Sequence, residues 1–370
     1  MKYYIIAGEP SGDLQASYLV KELKLADPDA DIRCFGGDLM EQQGATLVKH
    51  YKEMAFMGFE QVILNLRTIL NNIKFCKQDI LKFNPDVLIL VDYPGFNMKM
   101  AKWAHENNIR VYYYISPKIW AWNQKRGFKI KAYVDKMFVI LPFEEDFYAK
   151  FDYPVDYVGH PLLDIIGDHP KSDPVAFRKN HQLSEKPIIA ILPGSRKQEI
   201  SKMLSLMSSI TEFFPDYQFV IAGAPSQPLS FYHRFMNHDI SIVENKTYDL
   251  LQHAHAAIVA SGTAALETAL FKVPQVVCYK VDYIFYKIAM MVVKVDYASL
   301  VNLVMNKEVV KELIQYDFNK DNLINELKKL IEPKNRERML REYNELAAKL
   351  GGYGASKRTA EKIVAYLSNS

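Results

Sequence analysis

The chain has 370 residues, of which 49% are hydrophobic and 24% are charged, and its formal net charge is +3. This length suits two domains of ordinary size, and the composition is that of a folded protein. So small a net charge gives no reason to expect a nucleic-acid partner. The three cysteines are far apart and odd in number, which fits buried thiols in a reducing compartment and offers no zinc site.

The N-terminus enters a strand pattern at once, with Tyr3–Ala7 following the first two residues and leaving no room for a signal peptide. The best apolar stretch, Ile284–Val293, is too short to span a membrane and is interrupted by Lys287. We therefore expect a cytoplasmic protein that can still lie against a membrane surface.

Short apolar runs of β-forming residues alternate with stretches of helical period, which is typical of parallel βαβ units. One series of strands is predicted before residue 141, and a second begins after Pro187. A polar segment with two prolines starts at Gly167, between the two series, and indicates an interdomain linker. The predicted strands are Tyr3–Ala7, Ile32–Phe35, Val87–Val91, Val111–Ile115, Lys136–Ile140, Ile188–Leu192, Gln218–Ala222, Ile240–Val243, Ala256–Val259 and Gln275–Tyr279.

This alternation predicts an α/β fold with two Rossmann-like domains, each built on a parallel sheet. We assign residues 1–166 to an N-terminal domain, 167–186 to the linker, 187–333 to a C-terminal domain and 334–370 to terminal helices. Tandem domains of this kind bind their ligand in the cleft at the carboxyl ends of the strands. The residues that follow each strand are therefore the candidates for function.

The loops after the first and third predicted strands carry carboxylates. Glu9 and Asp13 lie in the tight turn after the first strand, and Asp92 follows the third strand directly. A carboxylate just past a buried strand is desolvated enough for its basicity to be tuned, so Asp92 is a candidate general base. Asp92 could equally cap the next helix or hold the loop by hydrogen bonds. We expect Glu9 and Asp13, on the same rim, to position the substrate.

Two aromatic segments of the first domain have both a structural and a functional interpretation. Trp120 and Arg126 belong to a run of tryptophans and cations that could bind a sugar or a phosphate, although such tryptophans are more often core. Met54, Phe56 and Met57 lie in a dense apolar hexapeptide, which is core by default. The functional alternative is contact with acyl chains or with a membrane, because Met and Phe make adaptable apolar surfaces.

The strongest local signal is the turn after the predicted strand Ile188–Leu192. Gly194, Ser195 and Arg196 lead from this strand into a helix, so backbone N–H groups and a partial positive charge point at one place. Arg196 adds a guanidinium that can bind phosphate oxygens in a forked geometry. The loop is not a Walker-type ATPase loop, because it lacks Gly-Lys-Ser/Thr. The alternative is a structural turn in which Arg196 pairs with Glu199.

A second loop of the C-terminal domain repeats this design after another predicted strand. Ser261, Gly262 and Thr263 are small enough for the backbone to approach a pyrophosphate closely, and their hydroxyls can donate to it. Glu267, about one turn into the following helix, can accept hydrogen bonds from two ribose hydroxyls. The alternative makes Ser261 a helix cap and Glu267 a partner of the helix dipole. Together the two loops outline a diphosphate with an attached ribose.

Ten motifs, in order along nearly the whole chain, resemble the lipid-A-disaccharide synthase family, glycosyltransferases of the two-domain GT-B type. The family usually has a second Asp where Gly95 stands, a Glu where Gln61 stands and a Pro where Val301 stands. Gly95 matters most, because it leaves Asp92 as the only carboxylate in its loop. The motifs are AGEPSGD from Ala7, MGFEQVI from Met57, VDYPGFN from Val91, ISPKIWAWNQKR from Ile115, LPFEE from Leu141, VGHPL from Val158, LPGSRKQEI from Leu192, SGTAALE from Ser261, SLVNLV from Ser299 and KELIQ from Lys311.

The resemblance implies two Rossmann-like domains facing across a cleft, with C-terminal helices that cross back to the first domain. It implies an inverting hexosyltransferase whose donor is UDP-2,3-diacylglucosamine and whose acceptor is 2,3-diacylglucosamine 1-phosphate. The products would be UDP and the β-1,6-linked disaccharide precursor of lipid A. Such a displacement needs a base for the acceptor hydroxyl and groups that hold the departing diphosphate. No cofactor and no metal are needed if protein groups neutralise the diphosphate.

Further expectations depend on the same resemblance. Asn302, in the motif SLVNLV, is assigned to the nucleotide-sugar site. The protein is expected to lie peripherally on the cytoplasmic face of the inner membrane, against anionic lipid, and a homodimer is one expected assembly. Two alternatives stay open: another UDP-sugar enzyme of similar fold, such as a 2-epimerase or the peptidoglycan glucosaminyltransferase, and a non-catalytic nucleotide-sugar-binding protein.

Overall fold

The computed structural model describes residues 1–54, 66–236 and 240–369. The chain forms two compact units, each around its own parallel sheet. Unit 1 comprises Met1–Ile165 and Leu350–Ser370, and unit 2 comprises Ile166–Lys349. In the described part of the chain, no helix combines the length and the apolar character needed to cross a membrane.

In the part of the chain that the structure describes, the strands divide between the units in chain order, seven in the first and six in the second. The strands of unit 1 are β1 Lys2–Ala7, β2 Asp31–Gly36, β3 Thr46–His50, β4 Val87–Val91, β5 Val111–Tyr114, β6 Lys136–Val139 and β7 Asp156–Tyr157. The strands of unit 2 are β8 Ile188–Leu192, β9 Gln218–Gly223, β10 Ser241–Glu244, β11 Ala254–Ala260, β12 Gln275–Tyr279 and β13 Lys311–Ile314.

Helices alternate with these strands along the chain. They are α1 Pro10–Ala26, α2 Asp38–Gln42, α3 Leu66–Phe83, α4 Pro94–Glu106, α5 Gly127–Tyr133, α6 Glu144–Ala149, α7 Leu162–Asp168, α8 Pro174–Asn180 and α9 Lys197–Ser208. They continue with α10 Leu229–His233, α11 Thr247–His253, α12 Thr263–Leu270, α13 Tyr283–Val292, α14 Leu300–Met305, α15 Lys320–Ile331, α16 Pro333–Lys349 and α17 Ala355–Ser368. The predicted linker, residues 167–186, contains α8.

The sheet of unit 1 has the order β3-β2-β1-β4-β5-β6-β7. Strand β4 is buried along its whole length and consists only of Val, Leu and Ile, as expected for a parallel strand covered on both faces. The register pairs Ala7 of β1 with Val91 of β4. The loop that carries Glu9 and the loop that carries Asp92 therefore leave the same edge of the sheet side by side.

The sheet of unit 2 has the order β10-β9-β8-β11-β12-β13. Its central strand β8 is also buried throughout and wholly apolar. The register pairs Leu192 of β8 with Val259 of β11. The two small-residue loops of this unit, which follow β8 and β11, are therefore neighbours at the carboxyl edge of the sheet.

The last helix, α17, belongs to unit 1 and packs against α1. Its first turn is held by Asp164, whose carboxylate accepts the amide hydrogens of Gly354 at 2.6 Å, Ala355 at 3.3 Å and Ser356 at 2.8 Å. A carboxylate at a helix N-terminus satisfies donors that have no partner within the helix. This contact confirms the expectation that a C-terminal helix returns to the first domain.

All ten predicted strands are present, and their ends differ from the prediction by two residues at most. Within the described residues, three strands were not predicted, which are β3, β7 and β13. Each lies at the edge of its sheet, where the residues are mostly half-buried or exposed. An edge strand need not be a continuous apolar run, because only one of its sides pairs with a neighbour. The apolar pattern that marks the central strands is therefore absent from these three.

Candidate active site

Asp92 lies directly after β4 in an unusual backbone conformation. Both Asp92 and Tyr93 have positive φ angles, 42° and 45°, which cost energy in residues other than glycine. The loop is held by its neighbours: the carbonyl oxygen of Asp92 accepts from Tyr113 Oη at 2.5 Å and from Asn97 Nδ2 at 2.8 Å. Helix α4 begins after Tyr93 without a side-chain cap, so Asp92 is not its N-cap.

Asp92 is half-buried. Burial raises the pKa of Asp92 above its usual value, and the nearby positive charge of Lys118 opposes this shift only in part. A carboxylate with a raised pKa holds a proton more tightly than an exposed aspartate does. The environment of Asp92 therefore suits a general base, which must accept a proton during the reaction.

Glu9 and Asp13 lie on the same edge but in different environments. Glu9 precedes α1 and is half-buried. Burial raises the pKa of Tyr93, and the charge of Glu9 adds to this shift, which shows that Glu9 lies near the Asp92 loop. Asp13 is only 2% exposed, and its carboxylate accepts backbone amides from Gly37 at 2.8 Å, Leu39 at 3.2 Å and Met40 at 3.3 Å. The contacts of Asp13 therefore hold the turn between β2 and α2.

The two tryptophans after β5 have opposite exposures. Trp120 is buried, and its Nε1 donates to Glu144 Oε1 at 3.1 Å. Trp122 is 48% exposed, and the guanidinium of Arg126 lies 4.9 Å from its ring centroid. The surface that this loop offers to a ligand is thus Trp122 with Arg126 rather than Trp120.

Glu144 is a buried carboxylate that the sequence analysis did not single out. It is 1% exposed and also accepts the amide hydrogens of Ile140 at 3.2 Å and Leu141 at 2.9 Å. Burial raises the pKa of Glu144 to about 7. Its contacts tie the loop after β5 to the end of β6. The motif LPFEE contains Glu144, but its bond to Trp120 spans 24 residues and has no local signature.

The apolar hexapeptide is described only at its first residue. Met54 is 2% exposed, so its side chain is core in this structure. Phe56 and Met57 lie outside the described residues. The structure therefore assigns a packing role to Met54 and gives no position for the other two.

In unit 2, the loop after β8 has the geometry of an anion-binding turn. Gly194 has φ +97°, which glycine adopts without strain, and the chain then enters α9. Ser195, Arg196 and Lys197 are exposed at this helix N-terminus. Exposed backbone N–H groups and a guanidinium therefore lie together at the positive end of a twelve-residue helix.

An internal carboxylate already occupies these donors. Glu199 Oε2 accepts the amide hydrogens of Ser195 at 3.2 Å and Arg196 at 3.3 Å, and Glu199 Oε1 lies 3.4 Å from Arg196 Nη1. The pairing of Arg196 with Glu199 is thus present in the structure. The pair is solvent-exposed, so it is worth at most about 1 kcal/mol. The same donors that bind this carboxylate are suited to a phosphate.

The loop after β11 has exposed small residues followed by a half-buried acid. Gly262 precedes α12 in an extended conformation, and a side chain there would meet no atom within 4 Å. Ser261 is not the helix cap; its Oγ donates to the carbonyl oxygen of Ala298 at 3.1 Å. Glu267 accepts from Tyr248 Oη at 2.8 Å, and burial raises the pKa of Glu267. The backbone at Gly262 and Thr263 is accessible to a ligand.

Asn302 lies inside the scaffold that supports this loop. Its side chain is fully buried, and Nδ2 donates to Val310 O at 2.9 Å and to Glu312 Oε1 at 2.8 Å. Its Oδ1 accepts from the amides of Val309 at 2.8 Å and Val310 at 3.0 Å. Asn302 therefore holds the segment next to Ser261 and has no hydrogen-bonding group left for a ligand.

Metal-ligand side chains do not cluster in the described ranges, where no group of three or more His, Cys, Asp or Glu is arranged to hold an ion. The three cysteines, at positions 34, 76 and 278, are free and buried.

The chain is similar over its full length to one family of sugar-transferring enzymes. A family profile described as lipid-A-disaccharide synthetase matches residues 3–365. A lipid-A-disaccharide synthase of Coxiella burnetii is 35% identical over 364 residues, covering 97% of this chain and 96% of that protein. A lipid-A-disaccharide synthase of Syntrophus aciditrophicus is 36% identical over 379 residues, covering 99% of this chain and 98% of that protein.

Solved structures of low sequence identity share the fold. A putative UDP-N-acetylglucosamine 2-epimerase from Listeria monocytogenes superposes with a TM-score of 0.70 at 14% identity, covering 100% of this chain and 97% of that one. The calicheamicin glycosyltransferase superposes with a TM-score of 0.61 at 16% identity, covering 99% and 98%. The α/β fold of GT-B type, with two parallel sheets, is confirmed.

Proposed function

The chain belongs to the lipid-A-disaccharide synthase family, and we propose that Asp92 is the base of its reaction while the Arg196 and Ser261 loops hold the UDP diphosphate. The reaction transfers 2,3-diacylglucosamine from UDP-2,3-diacylglucosamine to 2,3-diacylglucosamine 1-phosphate. The acceptor 6-hydroxyl attacks the anomeric carbon of the donor, the bond from that carbon to the diphosphate breaks, and UDP leaves. The hydroxyl proton goes to the base, and the new β-1,6 linkage inverts the anomeric centre.

The environment of Asp92 is the observation that supports its assignment as the base. Asp92 is half-buried at the carboxyl end of a central strand, and burial raises its pKa. A base whose pKa lies closer to the working pH takes up a proton more effectively, as long as it stays ionised in the resting enzyme. The strained and hydrogen-bonded backbone at Asp92 and Tyr93 fixes the direction of the side chain. Glu9 on the same rim is proposed to orient the acceptor.

The departing diphosphate is assigned to unit 2. Arg196 contributes a guanidinium, and the N-termini of α9 and α12 contribute backbone N–H groups and partial positive charge. These fixed donors stabilise the negative charge that develops on the leaving oxygen. In this proposal they play the part that a metal ion plays in other diphosphate sites. Glu199 must leave the amides of Ser195 and Arg196 when the diphosphate arrives, and its contact with them is weak enough to be exchanged.

The nucleoside end of the donor is assigned to Glu267. Tyr248 binds its Oε1, and Oε2 is proposed to accept hydrogen bonds from the ribose hydroxyls. Ser261, Gly262 and Thr263 line the approach to the diphosphate between these groups. In this proposal residues 187–333 form the nucleotide-sugar domain and residues 1–166 the acceptor-side domain, with Asn302 supporting the nucleotide loop from beneath.

The acceptor and the membrane are proposed to meet unit 1. Trp122 with Arg126 offers an aromatic face and a cation to the sugar phosphate, while Trp120 supports them from the core. Phe56 and Met57 are proposed to contact acyl chains or lipid, without Met54, whose side chain is buried. The enzyme would then lie peripherally on the cytoplasmic face of the inner membrane. A homodimer stays a prediction.

A direct test incubates the protein with both acylated sugars and separates the products by chromatography. We expect UDP and a disaccharide phosphate in equal amounts, and no UDP release when the acceptor is omitted. The omission distinguishes transfer from epimerisation, which needs no acceptor and changes the donor sugar itself. A new UDP-sugar in place of the disaccharide would refute the proposal and favour the epimerase alternative.

A further inference from the structure

Helix α13 presents many large apolar side chains to solvent, among them Tyr283 and Met290, which are 55% and 64% exposed. Ile284, Phe285, Met291 and Val292 are 71%, 67%, 77% and 42% exposed. Their spacing of i, i+1, i+7 and i+8 places them on the same face of the helix. We call these four residues the α13 stripe. Exposing a stripe of this kind to water costs free energy, and burying it among apolar groups lowers the free energy.

The opposite side of the segment is fastened to unit 2. Asp282, just before the helix, pairs with Lys202 of α9. The side chain of Gln315 makes two hydrogen bonds with the backbone of Val281, at 3.2 and 3.0 Å. The ring of Tyr286 lies edge-on to that of Tyr316, with 6.4 Å between centroids. The helix is therefore anchored by one side, and the α13 stripe points away from the anchor.

Exposed lysines frame the stripe. Lys280 precedes the helix, Lys287 lies within it and Lys294 follows it, and all three are exposed. The ammonium of Lys287 lies 5.5 Å from the ring centroid of Tyr283. Of the two acids in residues 280–296, Asp282 pairs with Lys202, and the exposed Asp296 lies two residues beyond Lys294. A short helix with an apolar face, aromatic residues and flanking lysines fits the interface of an anionic bilayer, where the lysines meet lipid headgroups.

A second copy of the chain is a poorer partner for this surface. In a two-fold dimer the same patch meets itself, so the three lysines of one copy would face those of the other. Like charges brought together in this way oppose association, whereas anionic headgroups attract them. The charges around the stripe therefore favour lipid.

The location of α13 links the stripe to the nucleotide loops. Strand β12 leads into α13 and pairs with β11, so the segment starts at the same sheet edge as the Ser261 loop. Lys202, which holds its N-terminal side, belongs to the helix that begins at Arg196. We propose that α13 inserts into the surface of an anionic lipid bilayer and places the nucleotide loops of unit 2 against it. This inference rests on the proposed function, because substrates with acyl chains reside in a bilayer.

The first experiment measures binding of the full chain to vesicles of phosphatidylcholine with phosphatidylglycerol. The triple variant Ile284→Ser, Phe285→Ser, Met291→Ser should bind at least about 10-fold more weakly, because three exposed side chains no longer enter the lipid. The matched control, Leu25→Ser, Val175→Ser, Phe213→Ser, changes three apolar residues that are also exposed and should bind like the parent protein. Replacing Lys280, Lys287 and Lys294 with glutamine should weaken binding to these vesicles by a similar factor.

A second experiment does not depend on the triple variant and stays informative if that variant folds poorly. The native cysteines are buried, so Phe285→Cys can be labelled selectively with an environment-sensitive dye. We expect its emission to shift to the blue with anionic vesicles and to be quenched by lipids that carry a nitroxide in the acyl region. A label at Phe213→Cys, which is also exposed, should show neither effect.

Two results would overturn the proposal. One is a dye at position 285 that stays in water while the protein binds the vesicles. The other is a triple variant that binds vesicles normally but changes its oligomeric state in light scattering, which would make the stripe a contact between copies. UDP affinity and turnover with detergent-dispersed substrates should be unchanged in the triple variant. Absence of disaccharide formation by the parent protein in detergent would instead count against the proposed function.

Discussion

The loop after β4 in unit 1 and the loop after β8 in unit 2 both follow fully buried strands but are built in opposite ways. The first is half-buried, strained at two residues and fixed by hydrogen bonds from Tyr113 and Asn97. The second is exposed, and its donors are occupied by the carboxylate of Glu199. The chemistry explains the difference. A base gains from a fixed and partly desolvated carboxylate, whereas a diphosphate site must be open and must exchange its internal anion for the ligand.

The largest effect should follow from removing the base without changing its shape. Asp92→Asn keeps the size and most of the hydrogen bonds, so turnover at saturating substrates should fall roughly 10²–10⁴-fold with little change in UDP affinity. Asp13→Asn is the comparison, because Asp13 is also a buried acid on this edge. It should chiefly lower the free energy of unfolding, by about 1–3 kcal/mol, since its amide cannot accept all three backbone bonds. Near-normal turnover of Asp92→Asn beside an inactive but folded Asp13→Asn would show that the base is misassigned.

The next largest effect concerns the exposed loop after β8, which carries Arg196. Arg196→Ala should weaken UDP binding by about 1.5–3 kcal/mol, or roughly 10- to 150-fold, because a charged hydrogen bond to the diphosphate is lost. The neighbouring Lys197→Ala removes one exposed charge from the same helix end and should change UDP affinity far less. Titration calorimetry of both folded variants with UDP decides the matter. An unchanged affinity in Arg196→Ala would remove this residue from the site.

A smaller effect, of opposite sign, should come from Glu199. Glu199→Gln keeps the length of the side chain but removes the charge that competes with the diphosphate, so UDP should bind a few-fold more tightly. Glu212→Gln alters another exposed ion pair of unit 2 and should leave UDP affinity as it is. Weaker binding of UDP by Glu199→Gln would mean that the carboxylate shapes the loop for the ligand rather than standing in its place.

The smallest effect tests the packing of the loop after β4, which carries Asp92. A side chain at Gly95, in the first turn of α4, would meet no atom within 4 Å, so Gly95→Ala should stabilise the fold by a few tenths of a kcal/mol up to about 1 kcal/mol. Gly8→Ala should destabilise it, because a Cβ atom there would lie 2.2 Å from the ring of Tyr93. Denaturant unfolding measures both. A destabilised Gly95→Ala would show that this position is more constrained than its surroundings indicate.

The sequence was most informative where the signal is local. The central strands are apolar runs, and the Asp92 and Arg196 loops follow them directly, so both were predictable from the order of residues along the chain. The edge strands β3, β7 and β13 were missed, because half-exposed strands lack a continuous apolar pattern. The sequence likewise could not say that Trp120 is buried and Trp122 exposed, since the partner that buries Trp120 is Glu144. Nor could the sequence say that the carboxylate of Asp13 binds backbone amides, or that the side chain of Asn302 binds backbone groups and Glu312, because the fold brings these partners together.

The pH dependence of turnover is the sharpest check on Asp92 as the base, because it registers the protonation of that carboxylate. Burial raises the pKa of Asp92 above the usual 3.8, and the base works only when ionised, so turnover should fall as the pH drops through this raised pKa. The measurement compares the acid limb of kcat/KM for the parent protein with that for Asp92→Asn, using detergent-dispersed substrates. We expect an acid limb above pH 3.8 in the parent protein and its disappearance from the residual activity of Asp92→Asn. An acid limb that is unchanged in Asp92→Asn would contradict the assignment of Asp92 as the base.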